Sequence, residues 1–198
     1  MFTGIVEHLG VVRSLARDGE GARLEVEAGP VGERATLGAS VAVDGVCLTV
    51  VEREGGRLRF DLAEETLGRT TLGELTPGAR VNLEGPLTLS SPLGGHLVQG
   101  HVDGVGSVVA VEGGPSGTRM RVAATEAMAR YLVEKGSVAV DGVSLTVAAT
   151  DGAGTFEVAL VPHTLEVTTL GARRTGDRVN LEVDIVAKYV ERLVREDR

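Results

Sequence analysis

The sequence predicts a mainly β protein in which one small antiparallel sandwich or closed barrel is built twice in tandem and followed by a C-terminal α-helix. Three observations carry that expectation. The chain repeats itself at a spacing near 97 residues; each repeat divides into short Val-, Leu- and Thr-rich segments between Gly and Asp turns; and the last stretch, 184–198, changes to a helical period.

The repeat is the firmest of the three. Val41-Ala-Val-Asp-Gly-Val-Cys-Leu-Thr-Val50 returns as Val138-Ala-Val-Asp-Gly-Val-Ser-Leu-Thr-Val147, with Cys47 changed to Ser144. Thr70-Thr-Leu-Gly73 returns as Thr168-Thr-Leu-Gly171, Gly78-Ala-Arg-Val-Asn-Leu-Glu84 as Gly176-Asp-Arg-Val-Asn-Leu-Glu182, and Gly4-Ile-Val-Glu7 is answered by Gly100-His-Val-Asp103. Two copies of roughly 90 residues are too few and too long for a solenoid, so duplicated domains are expected. The breakers Gly85-Pro86, Ser90-Ser91-Pro92 and Gly94-Gly95 put the boundary between them, giving domains over 1–88 and 95–184.

Within the first copy, strands are expected over Val6–Leu15, Ala22–Glu27, Ser40–Val43, Leu48–Glu52, Leu58–Leu62 and Arg80–Leu83. Closing so small a sheet removes its exposed edges. Asp44-Gly45 and Asp141-Gly142 stand between apolar runs as hairpin turns, where Gly supplies a positive φ at low cost. Two segments carry helix signals instead. Thr125 to Gly136 has an N-cap Thr, apolar Ala127, Met128, Tyr131 and Leu132, and a closing Lys135-Gly136. The terminal segment places Ile185, Val186, Tyr189, Val190, Leu193 and Val194 on one side and Lys188, Glu191, Arg192 and Arg195 on the other. By periodicity alone, its own barrels and a second chain are equally good covers for that stripe.

Composition narrows the function. With 42% hydrophobic and 24% charged residues the chain can bury a core. A net charge of −8 with no run of Lys and Arg argues against a nucleic-acid partner, which needs a clustered basic face. The single cysteine, Cys47, allows no intramolecular disulfide. Without a leader pattern or an uninterrupted apolar run of membrane-spanning length, the sequence reads as a soluble cytoplasmic chain with no membrane partner.

Chemistry-bearing residues are few. His96 and His101 lie in Gly94-Gly-His-Leu-Val-Gln-Gly-His101, a spacing unlike the usual zinc motifs, so no metal is expected. Taken alone, they read as surface histidines in a glycine-rich turn, although glycine lets a backbone approach a ligand and histidine exchanges a proton near neutral pH. Cys47 and Ser144 each precede a Thr by two residues, so at strand period each pair shares a face; alone, Cys47 reads as a small buried apolar residue. The chain has no nucleophile elbow, phosphate loop or dinucleotide fingerprint.

Together, Met-Phe-Thr-Gly-Ile-Val-Glu at the start, Asp-Gly-Val-Cys-Leu-Thr-Val, Gly-Gly-His-Leu-Val-Gln-Gly-His-Val-Asp-Gly, Asp-Gly-Val-Ser-Leu-Thr-Val and Val-Asn-Leu-Glu-Val-Asp resemble the riboflavin synthase family from Met1 to about Leu193. The resemblance implies two six-stranded antiparallel Greek-key barrels and a C-terminal helix, 185–198, that joins the chain into a homotrimer. It implies the cofactor-free dismutation of two 6,7-dimethyl-8-ribityllumazine molecules, by four-carbon transfer, into riboflavin and 5-amino-6-(D-ribitylamino)uracil. It places each active site between the N-terminal barrel of one subunit and the C-terminal barrel of its neighbour, with two substrate molecules per site.

Carried over by motif, one ligand meets Gly4, Ile5, Val6, Ser144, Leu145, Thr146, Val161, Pro162, His163, Thr164, Leu165 and Glu166. The other meets Cys47, Leu48, Thr49, Asp61, Leu62, Ala63, Glu64, Glu65, Thr66, Gly100, His101, Val102 and Lys135. His101 is assigned proton transfer, Ser144 and Thr146 surround one ring, Cys47 and Ser40 surround the other, and Phe2 and Thr3 close the site. The resemblance leaves docking to a lumazine synthase open. It departs at Gly85-Pro86, where relatives commonly continue with Arg-Ala, so the path of the linker is uncertain from sequence. The rival reading is a lumazine- or flavin-binding protein that holds its ligand without turning it over; an adaptor built of duplicated barrels is a more distant third.

Overall fold

The computed structural model describes residues 1–114 and 117–196. The first copy holds β1 (His8–Asp18), β2 (Gly21–Glu27), α1 (Gly29–Arg34), β3 (Ser40–Val43), β4 (Val46–Glu54), β5 (Arg57–Leu62), α2 (Glu64–Arg69) and β6 (Arg80–Glu84). The second holds β7 (Gly104–Gly114), β8 (Gly117–Ala123), α3 (Glu126–Ala129), β9 (Ser137–Val140), β10 (Val143–Thr150), β11 (Thr155–Leu160), α4 (Pro162–Val167) and β12 (Arg178–Val183), and α5 (Ile185–Glu196) ends the chain.

Each copy closes into a six-stranded barrel, in the order β1-β2-β5-β4-β3-β6 and, identically, β7-β8-β11-β10-β9-β12. Every pairing is antiparallel, and the crossings from β2 to β3 and from β5 to β6 make the Greek key. Closing so few strands requires sharp local bending. A register shift interrupts β1 between Val12 and Ser14 and β4 between Val50 and Glu52, and the second barrel repeats both at Val108/Ala110 and Val147/Ala149. Alternating residues fill the interiors: Leu24, Leu58, Phe60 and Leu83 in the first barrel, and Met120, Phe156, Val158 and Leu181 in the second.

The expected helix over 125–136 is corrected. Only Glu126–Ala129 is helical, and Thr125 caps it with no side-chain hydrogen bond. Met128 and Leu132 both reach into the second core, and Lys135 turns the chain back at φ +67 to enter β9. A segment anchored at both ends over so short a span has no room to propagate a helix. The C-terminal helix forms as expected through Glu196; its last two residues, 197 and 198, lie outside the described residues.

The barrels meet through the two Asp-Gly hairpins. Asp44 and Gly45 have φ of +44° and +78°, and Asp141 and Gly142 have +47° and +77°, the left-handed pair a type I′ turn demands. The turns touch: a Cβ on Gly45 would lie 2.6 Å from the Gly142 nitrogen. Asn82 donates to the Asp141 carbonyl at 2.8 Å and accepts from the Thr169 amide at 2.8 Å. Asn180 mirrors it, donating to the Asp44 carbonyl at 2.9 Å and accepting from the Thr71 amide at 2.8 Å. The two Val-Asn-Leu-Glu motifs thus serve as cross-barrel locks.

Candidate functional site

Alternation along β4 decides which side of the barrel faces a ligand. Val46, Leu48 and Val50 are buried inside, whereas Cys47 is half-buried and Thr49 exposed on the outer wall. Ser40 sits opposite Thr49 and Ala42 opposite Cys47, so Ser40, Cys47 and Thr49 share that outer face. In the second barrel Ser137 opposes Thr146 and Ala139 opposes Ser144, with Ser144 half-buried and Thr146 exposed. Each candidate site is therefore a patch on the outside of a barrel. Leu48 and Leu62 turn into the first core and Leu145 leans on the second, so these three expected contacts face away from the patches.

A backbone arm crosses each patch, and the arms are exchanged between barrels. The N-terminal arm lays Gly4 on the second barrel, where its carbonyl accepts the Ser144 amide at 2.7 Å, and Val6 packs against the second core. The linker arm lays Gly100 on the first barrel, where its carbonyl accepts the Cys47 amide at 2.9 Å, and Val102 packs against the first core. Both glycines need their freedom. Gly4 has φ +73 and Gly100 φ +80, and a Cβ on either would come within 2.6 Å of the Cβ of Ser144 or Cys47. The arms also pair with each other as a short bridge, Phe2 with Val98.

This exchange sorts the expected residues. Gly4, Ile5 and Val6 gather with Ser144 and Thr146; Gly100, His101 and Val102 gather with Cys47, Thr49 and Ser40. Asp61–Thr66 runs from the end of β5, whose Phe60 pairs with Val50, into α2; Val161–Glu166 runs from the end of β11 into α4. The hydroxyls of Thr70 and Thr168 bond the carbonyls of Thr66 and Thr164 at 2.7 and 2.6 Å, fixing both helices alike. Asp61 is tied to Arg23 at 2.9 Å and Glu65 to Arg69 at 2.5 Å; Ala63, Glu64, Pro162, His163 and Glu166 are exposed.

His101 is exposed on the arm over Cys47, with the group in which it was expected. Lys135 is exposed on the second barrel, its amide bonded to the Val147 carbonyl at 2.8 Å, and is not brought to Cys47 within one chain. Phe2 is wholly buried with Val98, Ala42 and Ala139, with Cys47 packed against them, so its ring anchors the arms. Thr3 is buried and held by Glu84.

The residue that sequence reasoning undervalued is His96. It is buried, its Nδ1 lies 2.7 Å from Ser144 Oγ, and its Nε2 has no hydrogen-bond partner among the described residues. Burial holds its pKa below the ordinary imidazole range, opposed by the nearby Asp184 carboxylate, so the ring is neutral at pH 7. A neutral ring protonated on Nε2 accepts the Ser144 hydroxyl proton at Nδ1, the arrangement that raises the nucleophilicity of a hydroxyl. A cleft of about 670 Å³ runs between the barrels past Asp44, Thr71 and Arg173 and reaches only Leu165 and Glu166 of the expected site residues. Among the described residues no cluster of three or more His, Cys, Asp or Glu is placed to hold a metal ion.

Comparison with known proteins places this geometry. The lumazine binding domain family matches twice, over residues 3–85 and 99–184. A riboflavin synthase of Mycobacterium tuberculosis is 51% identical over 201 residues, spanning 98% of each chain. The riboflavin synthase of Bacillus subtilis is 36% identical, over 98% of this chain and 90% of its own. Among solved structures, LumP complexed with riboflavin superimposes with a TM-score of 0.85 at 24% identity, covering 92% of this chain and 99% of that one, a likeness of fold. With both repeats matched and the curated relatives aligned almost end to end, the chain belongs to the riboflavin synthase family of duplicated lumazine-binding barrels.

Proposed function

We infer that the protein is a transferase of riboflavin biosynthesis, converting two molecules of 6,7-dimethyl-8-ribityllumazine into riboflavin and 5-amino-6-(D-ribitylamino)uracil. The observation that carries this reading is the intact doubling of the ligand patch: each barrel offers an outer Cys or Ser two residues before a Thr, crossed by a glycine arm from its twin. A reaction that consumes two copies of one compound needs two such patches. A protein that only holds a chromophore needs one.

The chemistry is undemanding. Losing a proton from its 7-methyl group makes one lumazine a carbon nucleophile, because the ring delocalises the charge, while the second accepts a nucleophile at its own position 7. Ser144 Oγ, bonded to His96, is placed to supply that nucleophile, and the exposed His101 beside Cys47 is placed to exchange the proton. Backbone amides and carbonyls suit the donor and acceptor edge of the ring, and the Thr66 and Thr164 hydroxyls suit the ribityl chain. Holding two rings face to face supplies several kcal/mol of the barrier, so positioning is the main catalytic term. Replacing His96 by Gln is expected to lower turnover on the order of ten- to a hundredfold with riboflavin binding nearly unchanged.

The same reading makes the protein a cytoplasmic homotrimer joined through α5, with domains over 1–88 and 95–184 and the helix over 185–198. Val186, Tyr189, Val190, Leu193 and Val194 are each more than half exposed, and beside them a groove of about 520 Å³ lies between α5, Tyr131 and Val133. A stripe of that size calls for a cover. Facing the first barrel of one subunit with the second of its neighbour supplies the two rings to one site and brings a neighbouring copy's Lys135 toward Cys47. A lumazine synthase is a further expected partner, tested by co-sedimentation.

Incubation with the lumazine alone, followed by chromatography, tests the function. One riboflavin formed for every two lumazines consumed, with no added metal or nucleotide, is expected. Tight binding without conversion overturns the enzyme reading in favour of a chromophore-binding relative.

A further inference from the structure

Glu84 and Glu182 are the last residues of the two Val-Asn-Leu-Glu motifs, both buried at barrel walls, where they pair with Ala42 and Ala139, the residues opposite Cys47 and Ser144. Each takes hold of an arm instead. Glu84 Oε1 accepts from the Thr3 amide at 2.6 Å and the Thr3 hydroxyl at 2.7 Å, and its Oε2 accepts from the Gly4 amide at 2.9 Å. Glu182 Oε1 accepts from the Gln99 amide at 2.6 Å, and its Oε2 from the Gly100 and His101 amides at 2.9 and 3.0 Å. Three converging donors on each carboxylate make a strong, directional clamp. Burial raises the pKa of both groups, opposed by these same amide bonds.

What the clamps hold belongs to the opposite barrel. The arm rooted by Glu84 on the first barrel ends with the Gly4 carbonyl on the Ser144 amide of the second; the arm rooted by Glu182 on the second ends with the Gly100 carbonyl on the Cys47 amide of the first. We propose that Glu84 and Glu182 are positioning residues acting crosswise, each setting the ligand patch of the barrel to which it does not belong. This deepens the reading of the two patches given above, but the assignment of clamp to patch stands on the carboxylate bonds to the arms and the two glycine carbonyl bonds, not on the identity of the ligand. A residue that merely supported its own barrel would act on its own patch, so the crossing itself separates the two roles.

The single thiol of the chain reports the first patch without any substrate. Alkylation of Cys47 by iodoacetamide, measured on the full chain, is expected to be about tenfold faster in Glu182→Gln, in which an amide NH₂ replaces one accepting oxygen. Glu84→Gln is expected to change it less than about twofold. In a chain carrying Cys47→Ser and Ser144→Cys the pattern reverses, with Glu84→Gln the variant that exposes the thiol at position 144. Equal effects from both glutamates, or a larger effect on the same barrel, overturn the proposal. Should a Gln variant fail to fold, Gly100→Ala is expected to raise Cys47 reactivity several-fold more than Gly4→Ala does, because the methyl at 100 meets Cys47 itself while the methyl at 4 meets Ser144 and reaches Cys47 only through the Phe2–Val98 bridge; the opposite order overturns it equally. Riboflavin formation is scored separately, so a protein that forms none can still pass this test, and an active one can fail it.

Discussion

Asp44 and Asp141 occupy equivalent turn positions, yet their surroundings differ by one residue. Each accepts a backbone amide, from Asn82 at 2.7 Å and from Asn180 at 2.8 Å. Only Asp141 also meets a cation, Arg173, at 2.6 Å; the corresponding position of the first copy is Leu75. Burial pushes the Asp44 carboxyl well up, and the neighbouring Asp141 carboxylate pushes it further. Asp44 thus binds its proton more tightly folded than unfolded, and stability falls as pH rises from about 4 through the folded pKa. Asp44→Asn is expected to remove that fall and to leave stability at neutral pH equal or higher in urea titrations. Asp141→Asn leaves the half-buried Arg173 guanidinium without its carboxylate and is expected to cost about 1–3 kcal/mol. Neither contrast is legible in the sequence, where the two Asp-Gly turns are identical and the deciding Arg lies 32 residues away.

Among the elements, the strands and the hairpins were readable because their signal is local: alternation, bounded by glycine. The six-residue helices α1, α2 and α4 were not, since fewer than two turns show no periodicity to detect. The segment 125–136 failed for the opposite reason, carrying helix signals that tertiary anchoring overrides. The terminal helix was readable, and its Lys188 and Glu191 tie it back to Asp103 at 2.7 Å and Arg130 at 2.8 Å, leaving the apolar side outward. Replacing Tyr189 and Leu193 together by Glu is expected to reduce the particle to one chain by sedimentation and to abolish turnover, while riboflavin still binds weakly. Unchanged mass would overturn the proposed assembly through α5. For the site, motifs located the patches, but His96 escaped because its partner Ser144 lies 48 residues on and only folding joins them.

For the whole molecule, the two barrels are held together by polar groups that each core leaves unsatisfied. Asn180→Ala removes the acceptor of the buried Thr71 amide and the donor to the Asp44 carbonyl, which is expected to cost about 2–3 kcal/mol and to split thermal unfolding into two transitions. A single transition with the same midpoint would show that the arms alone couple the barrels. The lock and the exchanged arms share one symmetry. Two separate single-barrel chains, each lending its leading strand to the other, would make every one of these contacts across a twofold axis. Fusing such twins end to end keeps the embrace while freeing its halves to drift apart, so that His101 can stand where Ile5 stands and Ser144 where Cys47 does. Unlike partners for two identical guests are then a product of inheritance, reached without a second gene.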